Sequence, residues 1–67
     1  MAKLTSKELS LLEDNLRHEQ LMVQKFSLYA NQATDPEVKN LCQNLRDMHQ
    51  QHLNTLMQQL NQATPMK

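Results

Sequence analysis

At 67 residues the chain is one domain at most, near the size below which a single core struggles to outweigh chain entropy, so self-association is the natural remedy. Its seven basic and seven acidic residues balance without clustering, which argues against a nucleic-acid binder and against a polybasic membrane anchor. Glycine and Trp are absent, with one Tyr and one Phe present; this suits long helices and leaves little for strands or tight turns, so the expected class is all-α.

The start, Met1-Ala2-Lys3-Leu4-Thr5, runs into charged residues without a signal-peptide core, and no apolar stretch approaches the roughly twenty residues that span a bilayer. Cytoplasmic synthesis of a soluble, unexported chain is expected. Thr5 and Glu8 form the pattern T-x-x-E, in which the threonine side chain caps a backbone N–H and the glutamate reaches back to the cap residue, with Leu4 and Leu9 as a hydrophobic staple. A first helix is therefore expected over about residues 6–31. Asn31-Gln32-Ala33-Thr34 is the expected turn, with Asn31 suited to the left-handed conformation that often ends a helix.

The capping pattern recurs as Thr34 and Glu37, flanked by Ala33 and Val38, with Pro36 in the first turn, where its missing N–H breaks no helical bond. A second helix is expected over about residues 35–62, and the tail Ala63-Thr64-Pro65-Met66-Lys67 should fray. One continuous helix is rejected, because Pro36 in its interior would cost ~3 kcal/mol or more. Residues 1–67 thus form a single antiparallel helical hairpin, each arm about 38 Å long at 1.5 Å per residue.

At about 100° per residue, the first helix gathers Leu9, Leu11, Leu12, Leu16, Met22, Val23, Phe26, Tyr29 and Ala30 within an arc of roughly 160°. Glu19 points along its middle. The second helix gathers Val38, Leu41, Cys42, Leu45, Met48, Leu53, Leu56 and Leu60 into a comparable arc, with His52 central and His49 toward one side. Arcs this wide exceed the seam between two helices and suit members of a four-helix bundle, so a two-fold symmetric homodimer of hairpins is expected.

An antiparallel hairpin turning near Thr34 pairs positions whose numbers sum to about 68, which sets Glu19 beside His49 and brings His52 within one turn. His49 and His52 are i and i+3 and project from nearly one face. Three readings are open: a hydrogen-bonded Glu/His layer that fixes register in a Leu-rich core; a transition-metal site, for Zn, Fe, Mn or Cu, with Glu19, His49 and His52 as ligands from two copies; or His49 at a solvated edge with Glu19 paired to Lys or Arg. A carboxyl in apolar surroundings should have a raised pKa unless a cation or metal offsets its desolvation, so stability should respond to pH.

No nucleophile, phosphate loop or oxyanion arrangement accompanies these residues, and no enzymatic activity is assigned. His18 falls at the arc's edge and is read as solvent-facing, and Glu13 and Arg17 as an ordinary i, i+4 surface pair. Met22, Met48 and Met57 read as apolar filler. Cys42 is the only cysteine, so no internal disulfide can form and a reducing compartment is the simplest setting. Leu21 and Leu28, with Met57, lie on outer faces and could serve a larger assembly.

Taken together, the Glu19 position, the turn Asn31-Gln32-Ala33-Thr34-Asp35-Pro36-Glu37 and the run His49-Gln50-Gln51-His52 resemble the spore coat F family of endospore-forming bacteria, over roughly Leu4 to Leu60. That resemblance implies a ferritin-like fold, here half a bundle completed by dimerisation, and a sporulation-related protein deposited in the spore coat beside other coat proteins. Ferritin-like di-metal proteins take one Glu from the first helix and a Glu-x-x-His from the second of each hairpin. Glu19 fits the first role and His49 or His52 the last, but Arg46 stands three before His49 and His49 three before His52, so the second carboxylate is missing.

Overall fold

A computed structural model describes residues 3–62 in full and the backbone of residues 64–65. Two α-helices, α1 (Ser6–Gln32) and α2 (Pro36–Gln62), fold back on each other as an antiparallel hairpin. Short extended segments flank them: β1 (Lys3–Leu4) pairs in parallel with β2 (Thr64–Pro65) and clips the two ends of the chain together. Of the tail expected to fray, Thr64 and Pro65 are held in this pairing, while Ala63, Met66 and Lys67 lie outside the described residues.

The start of α1 follows its expected chemistry. The Glu8 amide donates to the Thr5 hydroxyl at 3.0 Å and the Thr5 amide to the Glu8 carboxylate at 3.0 Å, a complete capping box. Two orphan N–H groups of the first turn are satisfied by two side chains.

The reversal between the helices departs from expectation twice. Asn31 stays helical, and no described residue takes a positive φ; α1 ends because Ala33 turns extended (φ −68°, ψ 132°) after its amide has bonded the Tyr29 carbonyl at 2.9 Å. An extended exit needs no left-handed residue, which is how a chain without glycine makes the turn. The cap of α2 is Asp35 in place of Thr34: the Glu37 amide donates to Asp35 Oδ1 at 2.9 Å, and the Lys39 amide to the Asp35 carbonyl at 2.9 Å. Pro36 decides this, because a proline disfavours the helical region for the residue before it and is itself best placed first in a helix. That leaves Asp35, one residue later than Thr34, in the capping position.

The seam is narrow. Ala30 and Cys42 are its buried apolar residues and Glu19 its buried charged one, flanked by half-buried Leu12, Leu16, Val23, Phe26, Leu45, Leu53 and Leu56. Leu11, Tyr29, Val38, Leu41 and Met48, expected in the apolar arcs, are 40–59% exposed. The arcs are wider than one neighbouring helix can cover, so part of each faces outward. Among the described residues no helix is long and apolar enough to cross a membrane.

Candidate metal centre

Glu19 and His49 occupy the middle of their helices, each with thirteen helical residues on either side (6 to 18 and 20 to 32; 36 to 48 and 50 to 62). Because the helices are equal in length and antiparallel, the two midpoints meet, as the pairing rule anticipates. His49 Nδ1 lies 2.6 Å from Glu19 Oε2, and His52 Nδ1 lies 3.6 Å from Glu19 Oε1. A carboxylate only accepts, so in this contact His49 Nδ1–H donates. With one His49 bond and a second imidazole near its other oxygen, Glu19 is not an orphaned charge; no buried side-chain N or O among the described residues lacks a partner.

The two histidines follow the pairing rule, which set His49 beside Glu19, and reverse the arc reading, which made His52 central. His49 is the seam residue, with its side chain 16% exposed, and His52 stands at the edge, at 53%, while Glu19 is 10% exposed. The physical reason is that the centre of a wide apolar arc is not the centre of the seam: the part of the arc carrying Leu41 and Met48 faces outward, so the seam lies to the other side of His52.

Burial pushes the Glu19 carboxyl up, but the hydrogen bond and charge of His49, aided by His52, outweigh it and hold the group below its ordinary value near 4.5. The expected rise from burial is thus outweighed, and the two imidazoles supply the offset. Phe26 packs its ring flat on His49, at 5.6 Å between centroids and 8° between planes, while His52 meets His49 edge-on at 5.7 Å. Phe26 was expected only as core. Its spacing of seven from Glu19 on the same face, two turns on, is the signal that it stands beside the cluster.

One donor atom each from Glu19, His49 and His52 lies within 4.8 Å of the others. Ligands about 2.0 to 2.2 Å from a tetrahedral ion sit roughly 3.4 Å apart, a spacing the cluster reaches with small side-chain adjustments. Two imidazoles and a carboxylate suit Zn, Fe or Cu; to bind, the ion would displace the proton held between His49 and Glu19 or use the other ring nitrogen. A carboxylate-bridged di-iron centre does not fit. Arg46 occupies the position where the second helix would supply its glutamate, and it donates to neighbouring Asp47 at 3.1 Å.

His18 is exposed, as expected. Arg17 pairs with Asp14 at 3.7 Å in place of Glu13, both side chains more than 70% exposed, which is an exchange of one solvated partner for another with little energetic consequence. Cys42 is a free, buried thiol in the seam. In comparisons with protein-family models, curated proteins and solved structures, nothing matches the chain.

Proposed function

We propose that the chain is a non-enzymatic structural or interaction protein that works as a homodimeric four-helix bundle, with the Glu19–His49–His52 layer inside. The observation that supports this best is the open apolar face. Relative to the seam, Leu11, Met22 and Tyr29 lie to one side on α1, and Leu41 and Met48 to one side on α2. In an antiparallel pair the same sense of rotation leads to the same flank, so these residues form one continuous surface. The opposite flank is more polar: it carries Gln20, Ser27, Lys39, Gln43, Arg46 and Gln50 beside Leu9 and Met57.

The thinness of the hairpin suits a second copy. The hairpin is one helix layer thick, 51 × 17 × 11 Å, with a radius of gyration of 15.1 Å against about 11 Å for a compact domain of this length. Its accessible surface is 5165 Å², whereas a compact 7.9 kDa chain exposes roughly 4,400 Å². The excess of roughly 750 Å² is close to the ~800 Å² that one partner contributes to a standard interface.

The spore coat F resemblance carried by the A-T-D-P-E turn and the H-Q-Q-H run supplies the setting: a ferritin-like bundle in the spore coat, with other coat proteins as further partners. Sedimentation equilibrium tests the dimer, which is expected at twice 7.9 kDa; a monomer at every accessible concentration overturns it. A tagged copy that stays out of the coat fraction of spores overturns the setting.

A second reading, favoured by the donor spacing, is a ferritin-like metal-binding module using Glu19, His49 and His52 from both chains. Elemental analysis of untagged protein tests it: stoichiometric Zn or Fe that is lost in His52→Ala supports the module, and metal-free protein that fails to take up either ion refutes it.

A further inference from the structure

We infer that a divalent transition ion is bound across the dimer interface, so that metal binding and dimerisation are one linked equilibrium. This rests on the dimer and metal readings together and adds that the site is incomplete in one chain.

Three features of the cluster carry it. First, Glu19 and His49 are the midpoints of α1 and α2. A two-fold axis along the helices keeps every residue at its height, and one across the helices at mid-height leaves the midpoints where they are. Either symmetry therefore brings the two clusters face to face, and no other level of the hairpin has this property. Second, the exposed ligand is on the side where the partner sits: His52, at 53% exposure, lies on the flank of Leu41 and Met48, while Glu19 and His49 stay in the seam. Third, one chain offers three donors, one short of a closed tetrahedral shell. Among the described residues no other His, Cys, Asp or Glu joins the group, and an imidazole facing it from the second copy is the nearest source of a fourth.

An ion with ligands from both copies must lose some of them when the copies part, so it stabilises the dimer by mass action. Linkage is reciprocal: whatever factor the ion adds to dimer affinity, dimerisation adds to metal affinity. A site closed by water within one chain would show neither effect.

The test uses the full, untagged chain stripped with EDTA. Sedimentation equilibrium without and with excess ZnCl2 should show the dimer dissociation constant fall about tenfold or more, and in His52→Ala, whose fold is checked by circular dichroism, the values without and with Zn should coincide. Leu41→Lys lies eight residues from His49, about 12 Å along the helix, and so breaks the interface without touching a ligand. The monomer it yields should bind Co(II) at least about tenfold more weakly than the parent and lose the intense visible bands of four-coordinate cobalt. If Co(II) binds but Zn leaves the dimer constant unchanged, or Leu41→Lys binds Co(II) as tightly as the parent, the linkage is overturned while the dimer and the metal site both stand; if neither ion binds the parent, the metal site and the linkage fall together. A chain that is monomeric with and without Zn overturns the dimer and the linkage together.

Discussion

Glu19 is the residue on which the hairpin's polar chemistry turns. Its carboxylate is buried and satisfied by His49 at 2.6 Å, and removing one member of such a pair leaves the other in the seam without its partner. Glu19→Ala is expected to destabilise the protein by about 1 to 3 kcal/mol in urea unfolding. Replacing Glu19 and His49 together by Leu should be near neutral or stabilising, since apolar substitutes of similar volume often match a buried ion pair. The single and double variants thus separate the cost of an orphaned charge from the worth of the pair.

The same carboxylate predicts a pH response. Its folded value is depressed below its ordinary value near 4.5, so its contribution is complete above that value and drains away as pH falls through the lower, folded one. In EDTA, the difference in urea midpoint between the parent and Glu19→Gln should shrink as pH falls from about 5 toward 3. A difference that holds or grows on acidification would contradict the assigned direction.

The helices owe their ends to identifiable side chains. The box at Thr5 and Glu8 is visible in the sequence and present in the structure, because its chemistry is local and involves four consecutive residues. The second pattern, Thr34 with Glu37, has the same letters yet loses to Asp35, because Pro36 shifts the helix start by one residue. Asp35→Ala should cost about 1 kcal/mol, and Thr34→Ala less than about 0.5, both read from urea midpoints. Equal effects would put the cap back at Thr34.

At the level of the assembled protein, the exposed apolar flank decides behaviour. If two hairpins share one folding unit, thermal stability depends on concentration. A tenfold rise in concentration adds about 1.4 kcal/mol of driving force, which for two chains corresponds to roughly 5 °C in the unfolding midpoint. Differential scanning calorimetry over two decades of concentration checks this, and a midpoint independent of concentration would mark a hairpin that is stable alone. In that case Leu41→Lys, which places a charge on the same flank, should halve the mass in sedimentation.

Two helices, the break before Pro36 and the meeting of Glu19 with His49 follow from the linear order of residues, because apolar period, capping side chains and antiparallel pairing depend only on spacing along the chain. How far His52 stands outside the seam, which flank stays open and which residue caps α2 do not. Periodicity marks an arc of roughly 160° but not the part of it that a neighbour covers, and that choice is made only when two helices settle against each other: it left His52 at the edge and turned Leu11, Leu41 and Met48 outward.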